Sequence, residues 1–289
     1  DMTVLAGMER EDLSRALGHL IGDYQSWIEE QSSRIGVDVV GHDEAATDVI
    51  EKCRETLTRL QEGLNVLESD EAALEAFRFA NKAMALQRVR SIFALSRRRG
   101  EKDIKIENLD IPRNRSWRAF QLAFLLLSVP SLTDPKHPDR TEPLQANADL
   151  LWFPTGGGKT EAYLGVAAFA MAMRRLRHDL GDYDGTQGLC VIMRYTLRLL
   201  TLQQFQRATI LLCAMEIIRR EDTPKWGLQP FTLGLWVGNK VTPGTTEESA
   251  QAVQSILDGY QPRRGSPVQL TSCPWCGGEI QASPRNFVV

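Results

Sequence analysis

Three consecutive glycines, Gly156 to Gly158, stand directly before Lys159 and Thr160 in the segment FPTGGGKTEAYLG, residues 153–165. Glycines let backbone N–H groups turn toward phosphate oxygens, because no β-carbon obstructs the approach. A lysine amine neutralises the β- and γ-phosphates, and a threonine hydroxyl is a ligand for Mg²⁺. The segment predicts a site for ATP and Mg²⁺, with Lys159 and Thr160 as catalytic residues. The full set of predicted binding residues here is Thr155, Gly156, Gly157, Gly158, Lys159, Thr160 and Glu161.

The apolar pattern predicts the elements that position this loop. ADLLWF (148–153) has the length and composition of a buried strand, and a helix to about residue 178 follows the glycines. GLCVIM (188–193) and FTLGLWV (231–237) predict two further strands, with a helix over about 197–220 between them. Alternating strands and helices indicate an α/β fold, in which helices flank a parallel sheet. A glycine-rich turn without a ligand is the alternative, but the order strand, loop, helix favours the nucleotide site.

Residues 1–111 predict an all-helical accessory domain. Apolar residues recur on one face of residues 9–31, and those from Ile50 to Leu67 are spaced alternately three and four apart. A third helix is expected from Asp70 to about Leu95, with its apolar face inward at Leu74, Phe77, Ala80 and Met84. No catalytic constellation stands out in this region, so the predicted chemistry lies in residues 112–289.

Several segments resemble the motifs of superfamily 2 helicases. FPTGGGKT resembles motif I, and that family tolerates a residue such as Phe153 where the general phosphate-loop pattern has its first glycine. RYTLRLLTLQQFQR (194–207) is similar to motif Ia, and LGLWVGNK (233–240) lies where motif Ib is expected. WRAFQ (117–121) resembles the glutamine motif. Combined with CPWCGG, these segments most resemble the helicase subunit of bacterial DISARM antiphage defence systems.

The resemblance implies a RecA-like lobe that binds ATP and acts on DNA, either single-stranded or with a single-stranded overhang. It also implies a partner subunit of the defence system. Gln121, together with Arg118, becomes the reader of adenine, and a glutamine amide does offer the paired donor and acceptor that an adenine edge requires. The resemblance also implies that a set of polar and basic side chains contacts the phosphates of the DNA backbone. These residues are Thr196, Arg198, Gln203, Arg207, Asn239 and Lys240. A solvated helix face is the alternative for the residues of motif Ia.

Hydrolysis in this class needs an Asp-Glu pair at a strand end, to hold Mg²⁺ and position the attacking water. The pairs that begin at Asp43 and Asp70 precede the glycine loop and fit helix starts, where acidic residues are favourable. The pairs at Glu221 and Glu247 fit loops or helix starts as well. We therefore expect the acidic motif and a second lobe beyond residue 289 of a longer protein, and residues 1–289 to be inactive alone.

Cys273 and Cys276 in CPWCGG have the spacing of one knuckle of a zinc ribbon. The glycines free backbone N–H groups to hydrogen-bond the sulfurs. A tetrahedral structural site has four ligands, so we expect Zn²⁺ in the full-length protein with a second pair of ligands outside this sequence. Cys190 and Cys213 are not expected to be those partners. A thioredoxin-like redox pair is the alternative.

Composition bounds the remaining possibilities. The net charge is 34 − 37 = −3, so a contact with nucleic acid must come from local clusters. The cysteines form no disulfide framework and no apolar run reaches the roughly 18 residues of a membrane span, which predicts a cytoplasmic protein. The predicted function is that of an ATP-dependent DNA helicase or translocase. A nucleotide kinase and a non-catalytic nucleotide-binding module are the alternatives.

Overall fold

The computed structural model describes residues 1–141, 146, 148–154, 156–177, 184–195, 198–262 and 265–280. Within these ranges no helix combines the length and the apolar character needed to cross a membrane. Two 3₁₀ turns, Ile106–Asn108 and Pro112–Asn114, lie between the fourth and fifth helices. The helices are α1 Met2–Gly7, α2 Arg10–Ser33, α3 Asp43–Ser69, α4 Glu71–Arg98, α5 Ala119–Thr133, α6 Pro138–Thr141, α7 Lys159–Leu176, α8 Arg198–Glu221, α9 Thr223–Trp226 and α10 Thr246–Leu257.

The predicted α/β fold, a RecA-like parallel sheet with flanking helices, is wrong. The structure is 63% helical, and its described residues form no strand. In the first predicted strand Leu150 and Trp152 are 85% and 84% exposed, and in the other two Ile192 is 79% exposed and Trp236 is fully exposed. A strand is stable when its N–H and C=O groups join a ladder. Apolar composition alone supplies no such partner, and these segments are irregular backbone.

The chain divides into two compact units, and each is described by itself. The first unit comprises Asp1–Ala85, Arg115–Ile192 and Ile217–Gln229. The second unit comprises Leu86–Asn114, Met193–Glu216 and Pro230–Val289. The glycine loop therefore belongs to the first unit, and CPWCGG belongs to the second.

In the first unit, α2, α3, α5 and α7 pack in series, each against the next. α2 and α3 confirm the first two predicted helices. Gly63 of α3 permits the contact with α5, because a β-carbon there would lie 2.2 Å from the carbonyl oxygen of Leu126. The position of α5 on α3 is thereby fixed at backbone contact. The residues of α2 and α3 buried in this core include Leu13, Leu17, Ile21, Ile28, Ile50, Leu60, Leu64 and Leu67.

α4 confirms the third predicted helix, and the predicted inward residues from Leu74 to Met84 are each at most 1% exposed. The early acidic pairs lie at helix starts, as predicted. Asp43 begins α3, and Asp70 accepts a hydrogen bond from the Ala73 N–H at 2.9 Å at the start of α4. Asp70 also pairs with Arg177, which ends α7. These carboxylates therefore stabilise helix starts and helix packing.

In the second unit, the CPWCGG turn lies against the C-terminal part of α4. The guanidinium carbon of Arg90 lies 4.6 Å from the centroid of the Trp275 ring. Gly277 allows the turn to approach closely, because a β-carbon there would lie 2.8 Å from the carbonyl oxygen of Ala94. The helix thus holds the turn that carries the two cysteines.

Candidate nucleotide-binding site

The glycine loop is a tight turn that leads directly into α7. The N–H of Gly157 donates to the carbonyl oxygen of Pro154 at 3.0 Å, and Gly156 and Gly158 have positive φ angles of 82° and 92°. Gly158 is the N-cap of α7. The first N–H groups of a helix have no intrahelical acceptor and carry partial positive charge, so this end of α7 suits an anion. Thr155, also predicted to bind, lies outside the described residues.

Glycine is required at the last two positions of the loop because side chains fill the space beneath them. A β-carbon at Gly157 would lie 2.9 Å from the ring of Phe153. A β-carbon at Gly158 would lie 2.5 Å from Nε2 of Gln121 and 3.4 Å from a carboxylate oxygen of Glu161. The loop is therefore packed on its inner side against the protein.

Lys159 and Thr160 lie in the first turn of α7, as the sequence predicts. The Lys159 ammonium folds back onto the loop, where it donates to the carbonyl oxygen of Phe153 and lies 3.5 Å from that of Pro154. Thr160 is half-buried. Glu161 is 6% exposed, so its carboxylate lies behind the loop. Of these groups, the Lys159 ammonium is the one with a flexible stem that can exchange its carbonyl partners for a phosphate.

Three side chains of residues 117–121, WRAFQ, contact the glycine loop or α7. The guanidinium of Arg118 donates to the carbonyl oxygen of Gly157 at 2.7 Å. Nε2 of Gln121 donates to the carbonyl oxygen of Gly158 at 2.8 Å. Trp117 packs on α7, where a β-carbon at Gly165 would lie 2.8 Å from its ring. The start of α5 is therefore tied both to the glycine loop and to α7.

Sequence reasoning missed Trp117, Asn81 and Phe120 as parts of this site. The indole N–H of Trp117 donates to Oδ1 of Asn81 at 2.7 Å, and Asn81 is fully buried in α4. A buried amide needs partners, so an asparagine next to the apolar face of α4 was the available signal. Phe120 stacks on Phe153 with ring centroids 4.0 Å apart. This pair places an aromatic surface beside the glycine loop.

The residues predicted to contact nucleic acid lie in the second unit. Arg198 begins α8, and Gln203 and Arg207 share a face of this helix because residues four apart are neighbours. Gln203 is exposed, whereas Arg207 is half-buried. The remaining pair, Asn239 and Lys240, is exposed in a turn closed by the hydrogen bond from the Val241 N–H to the Gly238 carbonyl oxygen, at 2.8 Å. Thr196 lies outside the described residues, and the assignment as a nucleic-acid surface stays a prediction.

Cys273 and Cys276 lie in a compact turn in which the Cys273 N–H donates to the carbonyl oxygen of Gly278 at 2.7 Å. Burial opposes ionisation of the Cys273 thiol, but hydrogen bonds from the backbone of Cys276 and Trp275 and from the Cys276 thiol bring its pKa below the ordinary value. Burial raises the pKa of the thiols of Cys190 and Cys213. The described part of the chain has no group of three or more His, Cys, Asp or Glu side chains that could hold a metal. The turn itself offers two thiol ligands.

No protein-family model matches the chain. The chain is 37% identical over 277 residues to a protein of Bacillus paralicheniformis described as "DISARM protein DrmA". The match covers 93% of this chain but only 23% of the Bacillus protein, so the chain spans less than a quarter of that protein's length. An alignment that covers 93% of this chain includes both the helical N-terminal residues and the glycine loop. The chain is therefore similar to the DISARM protein DrmA over this part of that protein's length.

Proposed function

We propose that the chain is the ATP-binding part of a helicase or translocase of a DISARM-type antiphage defence system. The observation that carries the proposal is the glycine loop at the start of α7, where two backbone carbonyls hold the Lys159 ammonium beside the N-terminal end of the helix. Homology to a DISARM protein supports the biological setting. The likeness of the phosphate loop and of residues 194–207 to helicase motifs supports the reaction class.

The contacts beneath the loop explain how it would present donors to a phosphate. In a trans peptide unit the C=O and the following N–H point in opposite directions. Because Arg118 and Gln121 hold the carbonyl oxygens of Gly157 and Gly158, the N–H groups that follow each carbonyl point away from these side chains. Those are the N–H groups of Gly158 and Lys159. The loop is thereby preorganised with N–H groups on the face opposite the protein.

Phosphate binding would then exchange neutral acceptors for charged ones. The Lys159 ammonium would leave the carbonyl oxygens of Phe153 and Pro154 for the β- and γ-phosphates, so that both partners of the new contacts carry charge. The Thr160 hydroxyl would hold Mg²⁺, which neutralises charge on the transferred phosphoryl group. In this proposal the chain's own residues bind and orient the triphosphate.

The test is Lys159→Ala in the full-length protein, with ATP turnover and the thermal unfolding midpoint as readouts. Loss of one donor to transition-state charge lowers turnover about 10²- to 10³-fold, and the midpoint should hardly move. Lys52→Ala, which removes an exposed lysine of α3, is the matched control and should retain full turnover. Unchanged turnover in Lys159→Ala would refute the proposal. Turnover that single-stranded DNA does not stimulate would instead favour a nucleotide kinase, and ATP binding without any turnover would favour a non-catalytic binding module.

We also propose that the second unit contacts the DNA backbone through Arg198, Gln203, Arg207, Asn239 and Lys240. Exposure of Gln203 and of the turn at Asn239 and Lys240 supports this assignment. Amide and cationic groups of this kind bind phosphates without reading sequence. A partner subunit of the defence system is part of the same proposal, since the Bacillus homologue is described as a DISARM protein.

We further propose that Cys273 and Cys276 are two of four zinc ligands in the full-length protein. The lowered pKa of Cys273 supports this, because zinc binds the thiolate and backbone N–H groups already stabilise that form. Metal analysis of the full-length protein should find close to one zinc per chain, and Cys273→Ser should remove it. Full-length protein free of zinc would favour a redox or purely structural role for the pair.

A further inference from the structure

The side chain of Gln121 is bound by the protein at both ends of its amide. Oε1 accepts a hydrogen bond from the Arg118 N–H at 2.8 Å, which caps the start of α5. Nε2 donates to the carbonyl oxygen of Gly158 at 2.8 Å. A backbone N–H only donates and a carbonyl oxygen only accepts. The two partners therefore fix which end of the amide is oxygen and which is nitrogen.

The position of Gln121 leaves no access for a second molecule. The residue is 4% exposed, and its Nε2 lies so close to the loop that a β-carbon on Gly158 would be 2.5 Å away. Reading a base requires an accessible donor and acceptor side by side. In this arrangement Oε1 and Nε2 of Gln121 each have a partner in the protein, and the residue is covered by the loop.

The other described groups beside the loop do not distinguish one base from another. The Arg118 guanidinium donates to the Gly157 carbonyl oxygen, which makes it a support of the loop. The stacked rings of Phe120 and Phe153 offer an aromatic face, and stacking on aromatic side chains tolerates every base because every base has a π-face. The described surroundings of the loop are thus built to hold phosphates.

We propose that this site accepts nucleoside triphosphates irrespective of their base, because Gln121 is a positioning residue that holds the glycine loop. The proposal rests on the proposed function, since it concerns the same nucleotide site. ATP, GTP, CTP and UTP would bind with similar affinity. Substitution of Gln121 would weaken all of them by one common factor, because the lost contact orients the loop that binds their shared triphosphate.

The experiment is competition of each Mg-nucleoside triphosphate against a fluorescent ATP analogue on the full-length protein. The wild-type affinities should agree within about threefold, which corresponds to less than one hydrogen bond. Gln121→Glu keeps the acceptor for the Arg118 N–H but removes the donor to Gly158, and should weaken all four nucleotides about tenfold. Gln251→Glu, at an exposed position of α10, should leave all four affinities unchanged.

The other possible results of this competition experiment each contradict a different part of the reasoning. A strong wild-type preference for ATP that Gln121→Glu abolishes would make Gln121 the reader of adenine. A preference that survives the substitution would place base recognition in another group and would also refute the proposal. Equal affinities that Gln121→Glu leaves unchanged would refute the positioning role. Failure of the wild-type protein to bind any triphosphate would instead refute the proposed function.

Discussion

The contact between Gly158 and Gln121 can be tested by adding a single methyl group to the loop. Gly158→Ala places a β-carbon 2.5 Å from Nε2 of Gln121 and does so in a residue with φ of 92°. The left-handed conformation is less favourable for alanine than for glycine by about 1–2 kcal/mol. The amide of Gln121 must also move, and loss of its hydrogen bond to the Gly158 carbonyl oxygen destabilises by about 1 kcal/mol. The expected total is about 2–3 kcal/mol.

A second glycine separates the two contributions. Gly41 has φ of 80° and open space around its β-carbon position, so Gly41→Ala introduces the unfavourable conformation without the clash. It should destabilise by about 1–2 kcal/mol and leave nucleotide affinity unchanged. Gly158→Ala should be about 1 kcal/mol worse and should bind nucleotide more weakly.

Hydrogen exchange measured by mass spectrometry on the full-length protein localises the effect. A change of about 1 kcal/mol in the free energy of local opening accelerates exchange roughly fivefold. This acceleration should appear in the first turns of α5 for Gly158→Ala and be absent there for Gly41→Ala. Equal exchange of α5 in the two variants, together with equal nucleotide affinity, would refute the inferred support of the loop by Gln121.

Three further predictions follow from the packing, the thiol and the motif residues. Gly63→Ala forces α3 and α5 apart at Leu126 and should lower the thermal unfolding midpoint by an amount equivalent to about 1–3 kcal/mol. The control Gly22→Ala has open space at its β-carbon and should raise the midpoint slightly. Equal shifts of the midpoint in the two variants would contradict the contact between Gly63 and Leu126. Because the pKa of Cys273 is lowered, its thiol in metal-free protein should be alkylated at lower pH than an ordinary cysteine, and a rate profile with an ordinary midpoint would contradict this. Arg198→Ala should reduce the salt dependence of single-stranded DNA binding by roughly one contact for every sequence, whereas a wild-type slope would leave Arg198 as solvated surface.

The long helices α2, α3 and α4 were predictable because each carries its own signal. An amphipathic helix satisfies its backbone internally, so the spacing of Leu13, Leu17 and Ile21 identifies α2 without reference to any other segment. A strand is stable only when it hydrogen-bonds to a neighbouring strand. The sequence of a single segment shows that the segment is apolar but does not show whether such a neighbour exists. Trp152 and Trp236 were therefore predicted to lie in strands, yet both are exposed in irregular backbone.

The candidate site was predictable only in part for a related reason. The glycines, Lys159 and Thr160 are adjacent in sequence, and their spacing alone identifies the loop. The partner of Gln121 depends on where α5 packs against the loop, which no local pattern specifies. The sequence could therefore mark Gln121 as a residue of the site, but it contained no information that both ends of the amide would be engaged by the protein.

The anchoring of the loop from upstream also determines where the chain tolerates change in length. Gln121 and the Gly158 carbonyl oxygen that it binds are 37 residues apart along the chain, and the proline-rich connection from residue 134 onward lies between them. Doubling the length of a loop whose two ends are held adds only about 0.6 kcal/mol of closure entropy. The length of this connection can thus change while Lys159 keeps its place. Ala146, which is exposed within this connection, is a suitable point at which to insert an affinity tag or a fluorescent reporter.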